Sequence, residues 1–360
     1  MKQSKSLTRG RRRKVGDDRE LVRRSFIPGL EALPLVLEPA FPGLDLVRWL
    51  ETHRADLDKW LHGHGAVLLR GFPGLVSGDT RVFEAVSDVL ADGDLLPYVY
   101  RSTPRTRVGD RHLYTSTEYP ADQEIPLHNE NAYASVWPLR IWFFAAVTAD
   151  RGGATPIADS RAVWRAIPPE VRERFATRGV MYIRNYGEID LPWQVAFQTE
   201  ARDEVETFCR GRGIEWHWGA GDRLQTRQIC QGVAQHPVTG DPVWFNQAHL
   251  FHPSALAAEV REGLCQALGS EGLPRDARYG DGSPIEDEAL AAIRAAFAEA
   301  SRSFPWRLGD LLILDNMLTA HGRHPFEGRR RVLVGMARPH RAPLARETAT
   351  SARRTTQVSR

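Results

Sequence analysis

Short apolar runs separated by turn residues set the strongest limit on what this chain can fold into. Residues 66–69, 139–147, 180–186, 310–315 and 330–336 are brief, rich in Val, Ile, Leu and Phe, and bounded by Gly, Pro or charged residues. Runs of that length and composition read as buried strands. Helical spacing of apolar residues occupies 46–63 and 80–90, then recurs at 161–167, 169–178, 203–211, 254–268 and 285–300. Strand and helix do not alternate regularly, and no Gly-x-Gly-x-x-Gly opens a helix, so a dinucleotide-binding sheet is disfavoured. The expectation is a mainly β chain with flanking helices: a closed or double-sheet β core with helical covering.

Charge and thiols narrow the class. Residues 1–24 hold ten Lys/Arg against three acids, and residues 341–360 hold five Arg against one. Of the net charge of +3, the tails therefore carry +11 and the body between them −8. Basic character in the tails, not in a folded patch, reads as solvated disordered arms and makes nucleic acid a poor partner. The expected organisation is an arm over 1–24, one domain over 25–340 with a helical insertion at about 160–300, and a tail over 341–360. No apolar run approaches the length of a membrane helix, and no apolar stretch follows the basic start as a signal peptide requires. Cys209, Cys230 and Cys265 are odd in number and fit no pairing motif, as reduced thiols of a cytoplasmic protein would.

The run Gln123-Glu124-Ile125-Pro126-Leu127-His128-Asn129-Glu130-Asn131 carries the chemistry. On an extended strand His128 and Glu130 share a face, and imidazole with carboxylate supplies two of three ligands of a facial-triad iron(II) site. With 12 His and 45 acidic residues in the chain, such a pair also arises by chance, so the missing parts decide. His321 follows a buried-looking strand and is the candidate third ligand. Arg331 lies ten residues on, in an apolar strand. An arginine projecting inward there needs a carboxylate, and its planar fork suits a dicarboxylate that reaches the metal with its other end. Arg329 and Arg330 read as surface or loop charges, although one residue of register would exchange the roles.

With these residues in place, the chain resembles the taurine-dioxygenase-type (TauD/TfdA) family of iron(II)/2-oxoglutarate-dependent oxygenases. It is most similar to the subgroup that oxidises amino acids or carrier-bound aminoacyl groups in natural-product and antibiotic biosynthesis. The motifs run in order: Arg70-Gly71-Phe72, Tyr119-Pro120-Ala121-Asp122, Leu127-His128-Asn129-Glu130, Gly152-Gly153-Ala154-Thr155-Pro156, Trp244-Phe245-Asn246, Asp315-Asn316-Met317, Ala320-His321-Gly322-Arg323 and Arg331-Val332. The resemblance implies a double-stranded β-helix, a jelly roll of the clavaminate synthase-like kind. It implies Fe(II) on His128, Glu130 and His321, and 2-oxoglutarate held by Arg331 and Thr155. The implied reaction uses O2 to hydroxylate an unactivated C–H bond of an amino acid, free or tethered to a carrier protein, and releases succinate and CO2. Glu130 stands where much of the wider family has Asp and where halogenating relatives have a small residue, which implies oxygen transfer rather than halide transfer.

Three further residues are candidate substrate ligands: Glu124, four before His128; Asn246, between aromatic residues; and Arg101, which with Arg105 lies in the polar loop preceding the metal run. His249 and His252 lack an acid at the right spacing and read as pocket lining or helix-start structure. Desaturation or cyclisation at the same iron site begins with the same hydrogen abstraction. A zinc hydrolase could use the same His/Glu/His set, but it would not call for a dicarboxylate anchor.

Overall fold

The structure, a computed structural model, describes residues 21–341 except 78, 79, 104, 110 and 188. Its backbone is an eight-stranded sheet in the order Val22–Ile27, Leu30–Pro39, Ala66–Leu69, Leu311–Asp315, Val136–Val147, Arg331–Arg341, Leu113–Thr115, Arg107–Val108. Leu30–Pro39 runs parallel to Ala66–Leu69, and every other pair is antiparallel. The central strands read as continuous apolar runs because both their faces are covered. Alternate residues then divide between two cores. Val67, Leu69, Trp142, Phe144, Leu311, Ile313 and Leu333 face the helices Leu46–Thr52, Arg54–His64 and Thr80–Ala91, meeting Trp49, Leu57, Phe83 and Val86. Leu68, Ile141, Phe143, Leu312, Leu314, Val332 and Val334 face the other way, toward Ile157.

Ile157 belongs to a smaller antiparallel sheet, ordered Ser301–Arg302, Ile157–Asp159, Thr319–Arg323, Ile125–His128. His128 and His321 sit on this sheet, on the side that faces Phe143 of the large one, and Glu130 lies in the turn just beyond Ile125–His128. The buried pair Arg70–Asp310, with both guanidinium Nε and Nη2 donating (2.9 and 2.6 Å), ties the end of Ala66–Leu69 to the turn before Leu311–Asp315. That is what the Arg70-Gly71-Phe72 motif does here.

The region expected as a helical insertion also holds a sheet of its own, Glu215–Trp218, Leu224–Cys230, Val180–Tyr186, Arg275–Tyr279. It packs with the helices Pro169–Arg178 and Asp287–Ala300 in a core that reaches Tyr133 and Ala320, behind the metal-bearing strands. The fold is thus mixed α/β with substantial sheet and flanking helices. Among the described residues the strands form open sheets, not a closed barrel. The first strand begins at Val22, inside the segment expected to be an arm, because Val22 is buried and pairs with Pro39. Residues 1–20 and 342–360 lie outside the described residues.

Candidate metal centre

The strand Ile125–His128 stops at the first candidate ligand. Glu130 therefore does not reach the site by strand alternation; it sits in a turn in which Asn131 takes a left-handed φ of 56°. The turn is held by buried amides. Asn316 accepts from the Glu130 N–H (2.8 Å) and donates to the Glu130 and Pro138 carbonyls (both 2.9 Å). Asn129 donates to Ser160 Oγ and Asn316 O. Gln247 Nε2 and His249 Nε2 reach the Asn129 and Leu127 carbonyls at 2.7 and 3.1 Å.

His321 lies directly across the ladder from His128. The two rings are 4.5 Å apart, and Phe143 from the large sheet packs on His321 at 4.8 Å. A side chain at Gly322 would meet Ile125 O at 2.6 Å, so glycine is needed for the two strands to approach this closely. One ligand atom each from His128, Glu130 and His321 lie within 4.8 Å of one another.

Hydrogen bonding decides what this cluster can hold. His128 Nδ1 is 2.8 Å from Pro126 O; a carbonyl only accepts, so Nδ1 carries the proton and the Nε2 lone pair is free. His321 makes no hydrogen bond among the described residues, and its Nε2 is 3.8 Å from Glu130 Oε2. Burial, reinforced by His128 and Arg105, holds the His321 pKa well below the usual imidazole range, and burial also lowers His128. Two neutral imidazoles and one carboxylate fit a divalent metal that leaves positions open for small oxygen ligands.

A second cluster, His62, His236 and Asp315, has comparable spacing and fails this test. His236 Nδ1 accepts from the Val238 and Thr239 N–H groups, so the ring proton is on Nε2 and is donated to Asp315 Oδ2 at 3.0 Å. Asp315 Oδ1 in turn accepts from Met317 and Leu318 N–H. This cluster is a strut for the turn that leads to His321, with no His236 lone pair left for a metal.

Around the triad, Arg105, Ser116, Thr117, Thr155, Phe143, Arg323 and Arg330 line a narrow cavity of about 30 Å³. Thr155 lines this cavity, buried, its Oγ1 accepting from Trp306 Nε1. Arg331 does not: it is exposed, and the arginine beside Thr155 is Arg330. A bulge between Arg331 and Val332 shifts the register against Val136–Val147, and a one-residue shift reverses which side chains face inward. Arg330 donates through Nε to Gly153 O at 2.9 Å, and its Nη atoms are 3.4–3.5 Å from Ser116 and Thr155 hydroxyls.

The other candidate residues are not brought to the cavity. Glu124 is exposed and 3.4 Å from His324. Asn246 is wholly buried, its amide spent on Gly232 O and the Ala248 N–H. Arg101 braces its loop through Gln198 Oε1 and the Tyr98 and Arg105 carbonyls. Arg105, from the same loop, is the one at the site: buried, ion-paired to Glu130 Oε2 at 2.7 Å and stacked 4.3 Å above Tyr98.

Comparison with known proteins agrees with this chemistry. The model of the family described as taurine catabolism dioxygenase TauD, TfdA matches residues 30–337. The chain is 44% identical over 284 residues to the dapdiamide synthesis protein DdaC of Enterobacter agglomerans, covering 79% of this chain and 85% of that protein. It is 31% identical over 329 residues to a clavaminate synthase-like protein of Arabidopsis thaliana, covering 85% and 93%. Among solved structures, PvcB of Pseudomonas aeruginosa is similar in fold, with a TM-score of 0.51 at 19% identity over 88% of this chain and 90% of that one.

Proposed function

The chain belongs to the TauD/TfdA family of Fe(II)/2-oxoglutarate-dependent dioxygenases, and from that premise we propose that it hydroxylates a C–H bond of an amino acid or amino-acid-derived unit at a metal held by His128, Glu130 and His321. The observation that carries the reading is the cross-strand pair His128–His321 with Glu130 beside it and the His128 Nε2 lone pair left free by Pro126 O. With Fe(II), 2-oxoglutarate and O2 bound, such a centre supplies the oxidant and releases succinate and CO2.

The chain's own residues do the rest. Asn316 fixes the Glu130 backbone from both sides, so the carboxylate is presented with little reorganisation. Arg330, with Thr155 and Ser116 beside its fork, is suited to the distal carboxylate of 2-oxoglutarate, the role expected of Arg331. Phe143 and the surrounding core keep the cavity dry. The two facing sheets are read as an open form of a double-stranded β-helix, with residues 25–340 as one domain. Three unpaired cysteines support a reducing, cytoplasmic setting. A relative named for dapdiamide synthesis supports a biosynthetic role.

The test is succinate formation that requires Fe(II) and 2-oxoglutarate, screened against free amino acids and carrier-loaded aminoacyl groups. Product mass reports the outcome. A gain of one oxygen supports hydroxylation, and a loss of two hydrogens would replace it with desaturation or ring closure. Metal-dependent hydrolysis without O2 uptake would refute the oxygenase reading.

A further inference from the structure

Three guanidinium groups, Arg105, Arg323 and Arg330, line the cavity, and the first of them is ion-paired to Glu130. Two of the three have structural or co-substrate partners. Arg323 donates to the Tyr119, Pro120 and Gln123 carbonyls and so pins the loop before the metal run. Arg330 faces Thr155 and Ser116.

Arg105 differs. It is 6% exposed, and of its nitrogens only Nη2 is engaged, on Glu130; Nε and Nη1 are buried with no partner among the described residues. Stacking at 4.3 Å on Tyr98 fixes the plane of the fork. Unpaired buried donors on a cation are costly, and native structures retain them where a ligand completes them. The demand would grow when a metal draws on the Glu130 charge, because among the described residues Glu130 is the one carboxylate paired with Arg105.

We propose that Arg105 is a substrate-specificity residue: its Nε–Nη1 edge receives a free carboxylate of the primary substrate. This rests on the oxygenase reading above and extends it to the substrate class. Arg330 and Thr155 would take the distal carboxylate of 2-oxoglutarate and the metal would neutralise its other one, which leaves the Arg105 fork for the substrate. An amino acid activated as a thioester through its only carboxylate has none to offer. The substrate is therefore a free acid, or a tethered unit with a second carboxylate.

The experiment uses the full chain loaded with Fe(II) and 2-oxoglutarate without oxygen. It is titrated calorimetrically with a panel of N-acetyl amino acids and the matching primary amides, in wild type, Arg105→Lys and Arg105→Met. The wild type should bind at least one acid at least tenfold more tightly than its amide. That ratio should shrink in Arg105→Lys and approach one in Arg105→Met, each compared at saturating Fe(II) and 2-oxoglutarate. The proposal is overturned if no acid in the panel binds, if acids and amides bind wild type alike, or if the ratio survives both substitutions. It is also overturned if Arg105→Lys loses 2-oxoglutarate or metal binding in place of acid selectivity. Failure of wild type to bind Fe(II) and 2-oxoglutarate at all would instead remove the oxygenase reading beneath it.

Discussion

Replacing Arg330 by Ala, beside the same change at Arg331, gives a sharp test of how the co-substrate is held. Arg330 is half-buried, and burial together with Arg323 pushes its pKa down to about 10; it remains a cation at neutral pH, in surroundings that favour an incoming anion. Its two Nη groups make only long contacts with Ser116 and Thr155, so a carboxylate can take both with little to displace. A hydrogen bond to a charged partner contributes about 1.5–3 kcal/mol. Allowing for the lost hydroxyl contacts, the pair should amount to about 3 kcal/mol, or a rise of roughly 150-fold in the Kd for 2-oxoglutarate. Arg331 is exposed on the far side of the bulge, and surface changes of that kind stay within about 0.5 kcal/mol, about a twofold effect. Equilibrium binding of 2-oxoglutarate to the Mn(II)-loaded variants measures both. Arg330→Lys should fall between, keeping charge without the fork. A larger loss in Arg331→Ala than in Arg330→Ala would refute the register argument.

Other consequences follow from the supports of the site. Asn316→Ala removes three buried hydrogen bonds around Glu130 and Pro138; about 2–4 kcal/mol of stability should go with them, seen in urea unfolding of the metal-free protein. A change under 1 kcal/mol would mean that the turn holds itself. Gly322→Ala places a Cβ 2.6 Å from Ile125 O, which should part the two ligand strands and weaken Mn(II) binding at least tenfold; unchanged affinity would contradict the close approach. His249 is buried with its pKa lowered to about 3, chiefly by burial. Between pH 6.5 and 3 the unfolded chain binds the proton and the folded one does not, so stability falls as pH falls across that window. His249→Gln keeps a donor for Leu127 O and should reduce the slope of stability by about 1.4 kcal/mol per pH unit between pH 6 and 4. An unaltered slope would show that His249 is not a source of acid lability.

Much of this site was legible from sequence, and the failures have identifiable physical causes. Central strands such as Ala66–Leu69 and Leu311–Asp315 announce themselves because both faces are buried. The structure brings His128, Glu130 and His321 together, but not through strand alternation: a left-handed turn at Asn131 and the Asn316 amide place Glu130. Arg331 was preferred to Arg330 because a bulge leaves no mark in an apolar pattern. Asn246, Glu124 and Arg101 have the right chemistry for ligands, but their fates are set by long-range partners that a local pattern does not contain. The roles of Asn316 and Gln247 were missed for the same reason, although Asn316 stood within a matching motif.

Of two similar His/acid clusters, His128, Glu130 and His321 should bind the catalytic metal, because both imidazoles there keep a free lone pair while the His236 ring is spent on Asp315 and two backbone N–H groups. Anaerobic Fe(II) titration of wild type, His128→Ala, His321→Ala and His236→Ala tests it directly, with metal-dependent succinate formation as the second readout. The account predicts one tight site per chain in wild type and in His236→Ala, whose cost should appear as lower thermal stability, and none in the other two. Tight Fe(II) binding that survives His128→Ala but is lost in His236→Ala would contradict it.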